Sequence, residues 1–416
     1  MIYFFRFLIT TSLLILVYIF YKSEISWEGG NRNYYLIYYI GTLLAIVLLV
    51  IITYLKVQTQ KYIVIIFTSI IFTFYSFEIK LIFDQKKNLN FDTRSGYEVY
   101  EDLKKNNLNV TIASQPANYL NLKELDLLSL AGISKTKTIF CNENGYYAIY
   151  NSDRFGFNNP DEEWDSKEIE YFIVGDSFTH GACVNRPDDI ASVLRQYSKK
   201  NVLNLGQMGN GPLMEYATLR EYLAPNTKNV LWLYFEGNDL WDLENELKNN
   251  ILNKYLTNQN FKQDLKIKQT QIDQFIKNYI EIKIEDNNLK NRIIKFIKLY
   301  NTRYLLFTRS QPIPQSPTPE LMEILKLANE LVASYGGRLY FVYLPSFERY
   351  KKLLKVDSKQ EIKETVINLG IKFVDIDEEV FLKEKNPLQL FPFEKKGHYT
   401  VEGYKKVALK IHEKNK

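Results

Sequence analysis

The chain is poor in the residues that build metal and redox centres. Its 416 residues include two cysteines, Cys141 and Cys183, and three histidines, His180, His398 and His412. Their spacing holds none of the paired steps of a zinc site. A phosphate cradle is missing too: Gly206–Gly211 follows a strand but lacks the fingerprint spacing and a basic residue to meet phosphates. Charge of one sign is scarce. The net charge is +5, the lysines are dispersed among acids, and no Arg/Lys stripe is interleaved with aromatics, which argues against a nucleic-acid partner. The expectation is therefore an unaided protein site, with no cofactor and no metal. A cleavable leader is disfavoured as well, because no small-x-small site stands just before Lys22.

What the sequence does have is long apolar runs at its start. Residues 2–21, 34–55 and 62–83 are each close to the ~20 residues that cross a hydrocarbon core. The third is interrupted late by Glu78 and Lys80. The composition predicts a membrane domain over residues 1–84, with the lipid bilayer as a partner. Tyr34, Tyr35, Tyr38 and Tyr39 suit the headgroup level. The link between the second and third runs carries Lys56 and Lys61 and no acid. The first link balances Lys22 and Arg32 against Glu24 and Glu28. Positive residues stay preferentially on the cytoplasmic side, so the N-terminus is expected inside and the chain after residue 84 outside. Lys80, Lys86 and Lys87 argue the other way.

Residues 85–164 read as a linker and N-terminal extension. They contain a short helix near Glu101–Asn107, a strand at Val110–Ala113 and a hairpin over 137–150 turning at Asn144-Gly145. From 165 to 416 the pattern becomes α/β. Strands at Ile169–Val174, Val202–Leu205, Val230–Phe235, Arg338–Leu344 and Lys372–Ile376 alternate with helices at 187–199, 213–223, 318–335, 359–368 and 401–414. Continuous apolar strands between amphipathic helices predict a mostly parallel sheet covered on both faces. Residues 243–309 break the rhythm with Lys, Asn, Gln and Ile at helical spacing. With the proline-rich run Gln311–Pro319 they form a helical insertion over about 243–317. It suits a cap over the site, an amphipathic contact with the bilayer surface, or a solvent-exposed helical hairpin.

Three loops follow strands and should collect at the carboxyl edge of the sheet. The first, Gly175-Asp176-Ser177, lifts a hydroxyl out of the strand end beside the free N–H groups of a starting helix. The bland alternative is a helix cap, where Ser or Asp satisfies backbone donors. A serine needs a base to become a nucleophile. His398, just before the last helix, is the candidate, since an imidazole accepts a proton near neutral pH. His412 lies within that helix, and His180 is turned along a helix start. Gly209 and Asn238, in the second and third loops, are candidate oxyanion donors, against the alternative of ordinary turns. Cys141 and Cys183 are either a bridge, in an oxidising compartment, or two buried thiols.

These blocks together resemble the SGNH, or GDSL-type, hydrolase superfamily over roughly residues 165–242 and 370–411. Gly175-Asp176-Ser177 matches the nucleophile block, Asn204 through Gly209 the glycine block, and His398 through Tyr404 the histidine block. Glu236-Gly237-Asn238-Asp239 matches the Gly-x-Asn-Asp block imperfectly. The chain is most similar to membrane-anchored versions in bacterial surface-polysaccharide gene neighbourhoods, and Asn151–Phe157 resembles their lead-in. The resemblance implies a flavodoxin-like three-layer α/β/α domain, serine catalysis and a bacterial cytoplasmic membrane, with the domain facing outward. One position departs from the family. The aspartate expected three residues before the histidine is Lys395. Glu394 then becomes the candidate orienter of His398, with Glu384, Asp375 and Asp377 further candidates. The alternatives are a Ser-His dyad oriented by a backbone carbonyl, or an inactive protein.

The function expected is a membrane-tethered serine esterase acting on ester-linked acyl groups, O-acetyl among them, of a small molecule or extracytoplasmic glycan. An O-acyltransferase would use the same groups. The alternative from another class is a noncatalytic membrane-anchored glycan-binding or assembly protein. Transport is disfavoured, because three spans with few internal ionisable groups offer no path.

Overall fold

The computed structural model describes all residues except 27, 28, 30, 31, 85–91, 93, 107, 108, 121, 123–125, 286–288, 308–316, 355 and 416. Most of the proline-rich run Gln311–Pro319 thus lies outside the described residues, as do Lys86 and Lys87. The chain divides into two units, Met1–Gln85 with Lys295–Thr308, and Lys86–Ile294 with Arg309–Lys416.

The first unit contains the long helices Ile2–Phe20, Arg32–Thr53 and Val57–Asp84. All three are long and apolar enough to cross a membrane, with mean hydropathy of 2.0, 2.6 and 1.8 over their apolar windows. Only 11%, 0% and 6% of those windows is buried by protein. Side chains this apolar and this bare suit hydrocarbon, not the inside of a soluble core. The acid that interrupts the third run has a structural task. Glu78 is buried and accepts from the backbone N–H and side-chain amide of Asn301 and from the N–H and hydroxyl of Thr302, at 2.7–3.0 Å. Those residues open the helix Tyr300–Phe307, so the carboxylate satisfies N–H groups that a helix start leaves free. Asn301 and Thr302 of the insertion are therefore tied to the third apolar helix. This part is thus not a free hairpin, although Ile297 and Tyr300 remain exposed.

The second unit carries two sheets. In the small one, β1 (Val110–Ile112) lies parallel to β2 (Lys137–Ile139), which pairs antiparallel with β3 (Ile149–Asn151). The large sheet is parallel throughout. It contains β4 (Ile169–Gly175), β5 (Val202–Asn204), β6 (Thr227–Phe235), β7 (Arg338–Leu344) and β8 (Lys372–Asp375) in the order β5-β4-β6-β7-β8. Successive side chains leave a strand on opposite faces, and here both faces are covered. Phe172, Val174, Trp232, Tyr234 and Phe341 pack with the helices Pro212–Tyr222, Pro319–Ser334 and Lys359–Asn368. Tyr171, Ile173, Leu231, Leu233 and Val342 pack with Ile190–Ser198 and Val401–Lys414. Each large apolar side chain fully buried there contributes roughly 1.5–3 kcal/mol, which is why the strands read as unbroken apolar runs. The result is a three-layer α/β/α domain of flavodoxin-like order.

The order also decides where a site can form. β4 is flanked by β5 on one side and β6 on the other, so the chain switches direction beside it and opens a crevice at the carboxyl ends. Leu252, Tyr255, Ile272 and Ile276 of the insertion join the first core face. That half of the insertion is part of the domain.

Candidate active site

β4 ends at Gly175, and a Cβ there would lie 2.0 Å from the Thr179 hydroxyl and 2.7 Å from the Leu233 carbonyl. Only glycine fits this crossing, and it lets the chain turn at once into the short helix Ser177–His180. Asp176 caps that helix by accepting from Phe178 N–H at 2.8 Å. Its burial pushes the carboxyl up to about 6, against the pull of the Phe178 N–H and the His398 ring. Ser177 thus stands at the first position, 8% exposed, with its oxygen at the crevice.

His398 reaches it from the far end of the chain. The Ser177 hydroxyl lies 2.8 Å from His398 Nε2, and Nδ1 lies 3.0 Å from Glu143 Oε2. The same oxygen accepts the backbone N–H of His398 at 2.6 Å. An ionised carboxylate only accepts, so the ring proton belongs on Nδ1 and Nε2 is left to take one from the serine. Burial pushes the Glu143 carboxyl upward, but the His398 ring and its backbone N–H outweigh this and leave it below its usual value. Three residues from three distant parts of the sequence form the serine–base–acid array of activated-serine chemistry.

The acid is not the one expected. Glu394 accepts from the Asn386 amide at 3.1 Å, and its chain direction, set by positive φ at Phe393 and Glu394, belongs to a separate turn. The other candidates are engaged elsewhere: Glu384 with Lys406, Asp375 and Asp377 with Lys359. Glu143 comes from the loop joining β2 to β3, a hairpin legible in the sequence whose docking was not. A signal did exist. Glu143 is two residues from Cys141, and Cys141 is bonded to Cys183, six residues past the nucleophile, with Cα atoms 4.9 Å apart. Of the two readings left open for the cysteines, the structure shows the bridge.

The other side of the serine is built by the β5 and β6 loops. The Asn204 side chain donates to Thr179 O at 2.8 Å and accepts from Gly206 N–H at 3.0 Å. Gln207 N–H reaches Gly175 O at 3.1 Å. These bonds lay the glycine loop against the nucleophile turn, with Gly209 at φ +76° facing Ala117 and Gln115 of the extension. The ring of Phe178 stacks on Phe235 at 4.0 Å and so holds the end of β6 beside the same turn. Asn238 then opens the helix Asp239–Glu246, and its amide donates to Asp242 at 2.5 Å. The amide keeps a second N–H beyond this bond.

Glu236 explains the departure in the third block. It accepts from Ser346 N–H and hydroxyl at 2.7 and 2.9 Å and pairs with Arg349 and the Tyr343 hydroxyl, tying the β6 loop to the β7 loop. His180 takes no part in the array. It is buried, its pKa is depressed by burial to about 3, and it stacks on Phe140 at 4.4 Å and meets Tyr150 edge-on at 4.9 Å. It is the pad on which the Glu143 hairpin docks. His412 sits in the last helix.

No family model matches the sequence, and no curated protein matches it. Solved structures do. A protein described as lipolytic and of the G-D-S-L family, from Desulfitobacterium hafniense DCB-2, is 14% identical with a TM-score of 0.31, covering 59% of this chain and 99% of its own. Protein YxiM from Bacillus subtilis is 11% identical with a TM-score of 0.34, covering 59% of this chain and 56% of its own. Likenesses this slight decide nothing about activity.

Proposed function

We propose that the chain is a membrane-tethered serine esterase that hydrolyses ester-linked acyl groups. The observation that carries this reading is the continuous array from Ser177 through His398 to Glu143, at 2.8 and 3.0 Å. In the first half-reaction the Ser177 oxygen attacks the ester carbonyl while Nε2 of His398 takes its proton. The Ser177 and Gly209 N–H groups and the Asn238 amide receive the charge on the carbonyl oxygen. Nε2–H then protonates the departing alcohol, leaving an acyl group on Ser177. Water, activated by the same nitrogen, releases the acid. Glu143 holds the ring in the productive tautomer and steadies the imidazolium in both halves.

The three apolar helices support attachment to a membrane. The Cys141–Cys183 bridge supports a domain facing an oxidising compartment, in keeping with an outward orientation. The class of substrate we infer, an acylated glycan outside the cytoplasmic membrane, rests on that tether and on the resemblance of the sequence blocks. Membranes holding the parent, Ser177→Ala and His398→Ala proteins, treated with a fluorophosphonate probe, test the reading. Labelling of the parent that disappears in Ser177→Ala and weakens in His398→Ala supports it. A folded parent that takes no label overturns it in favour of a binding module.

A further inference from the structure

We propose that the Cys141–Cys183 disulfide is the positioning element that delivers Glu143 to His398, so that the acid joins the array only in the bonded protein. The proposal rests on the Ser177–His398 reading above. Its basis is how few ties join the tip of the hairpin to the nucleophile turn. The tip's remaining bonds, from the Asn142 amide to Asp92 O at 2.6 Å and from Asp92 N–H to Gly145 O at 2.7 Å, run to the N-terminal extension instead. The two arms exchange backbone bonds as far as Phe140 N–H to Ala148 O and Ala148 N–H to Cys141 O, each at 2.9 Å. Glu143 lies beyond that last rung. The base of the hairpin has its own anchorage, through Phe140 and Tyr150 on His180 and through Ile149 N–H to the Asn185 side chain at 2.8 Å. Apart from Glu143's own bonds to His398, the tip's tie to the nucleophile turn among the described residues is the Asn144 amide donating to Cys183 O at 3.0 Å. The bridge spans this gap, from two residues before the acid to six after the nucleophile.

Breaking it does more than loosen a loop. A dithiol reductant transfers two electrons and two protons to the bond, becomes the cyclic disulfide, and leaves one thiol on Cys141 and one on Cys183. The buried Cys183 sulfur lies 4.0 Å from His398 Nδ1, and Glu143, Cys183 and His398 present their donor atoms within 4.8 Å of one another. The freed thiol therefore competes with Glu143 for the ring nitrogen whose proton sets the tautomer. With the hairpin base still docked on His180, the reduced domain stays folded but has lost the acid from its array.

The test is a coupling measurement on the full chain in detergent, read by fluorophosphonate labelling rate and by p-nitrophenyl acetate hydrolysis. The Glu143→Gln change is made in the parent and in Cys141→Ser, and both forms of the parent, air-oxidised and dithiothreitol-reduced, are compared. In the bonded protein Glu143→Gln should lower kcat roughly 100-fold or more with KM within about twofold. Reduction or Cys141→Ser should cause a loss of similar size. Adding Glu143→Gln on top should then cost less than about threefold, since coupled residues do not add. Reoxidation should restore the reduced parent. The proposal is overturned if the Glu143→Gln penalty is as large without the bridge as with it, or if the reduced parent keeps full rate. Should Cys141→Ser fail to fold, the reduced parent carrying Glu143→Gln gives the same comparison. An oxidised parent inert to the probe would instead sink the Ser177–His398 reading itself.

Discussion

The two sides of Ser177 are built on opposite electrostatic terms. On the base side, the polar atoms are matched one to one. Nε2 meets the hydroxyl, Nδ1 and the His398 N–H meet Glu143, and that carboxyl is held below its ordinary range. On the oxyanion side, carboxyls crowd together beneath the Asn238 loop with too few donors. Glu246 accepts three N–H groups at the start of the helix Pro212–Tyr222, and burial still raises it to about 7. Burial and neighbouring acids raise Asp242 to about 9 and push Glu215 and Asp239 well above the usual range. Neither Glu215 oxygen meets a hydrogen-bond donor among the described residues. One side thus stores a negative charge to steady an imidazolium. The other holds carboxyls that burial and mutual repulsion shift toward their neutral form, Glu246 to about 7 and Asp242 to about 9.

Substitutions on the base side should have the largest effects. Ser177→Ala and His398→Ala should each lower kcat at least ~10³-fold for p-nitrophenyl acetate. Next comes the acid. Glu143→Gln should cost roughly 10²-fold or more, while Glu394→Gln stays within about twofold of the parent. Equal effects of the two would break the assignment made here. On the oxyanion side, Asn238→Ala should cost about 10²–10³-fold in kcat, or some 3–4 kcal/mol of barrier. Asp242→Ala, which frees the amide from its anchor, should cost about tenfold at unchanged KM, being one step removed from the reacting atoms.

The same contrast has a consequence for stability. Asp176, Glu246 and Asp242 keep protons in the folded state up to about 6, 7 and 9 that the unfolded chain releases near 4. The folded state binds more protons across that window, so stability falls as pH rises through it. Glu143 works in the other sense, but its contribution is lost only below the usual glutamate range. The thermal midpoint of the oxidised protein should therefore be a few degrees higher at pH 5.5 than at pH 8.5. A midpoint that rises with pH would mean the crowded acids are ionised and paired. The smallest effect expected is in the membrane unit. Glu78→Gln keeps two acceptor positions on its carbonyl and should cost about 1–2 kcal/mol, seen as easier proteolysis near residues 295–308.

Much of this was readable from residues in order. The β4–β8 strands and their helices fall within a few positions of where apolar runs and amphipathic spacing put them, because both faces of the sheet had to be covered. Ser177, Gly209 and Asn238 are each placed by a local rule, a loop directly after a parallel strand. His398 follows from scarcity, as three histidines leave few choices. Glu143 had no such rule. Its loop is 255 residues from His398, and Glu394, four residues from the histidine, was nearer in sequence but faces Asn386. The insertion misled in the same way. Its helical spacing was plain, while its division between the domain core and the membrane helices hung on Glu78, which in sequence only interrupts an apolar run.

The amino-acid order alone, then, determined the spans, the strand-and-helix alternation and the nucleophile turn, since these arise from forces between residues a few positions apart or from the total apolar length. Tertiary structure decided which carboxylate meets the histidine, that the two cysteines meet, and which acids burial pushes up. Those depend on distances between segments far apart in the chain and on the depth of their burial, and the energy of a charge changes with both.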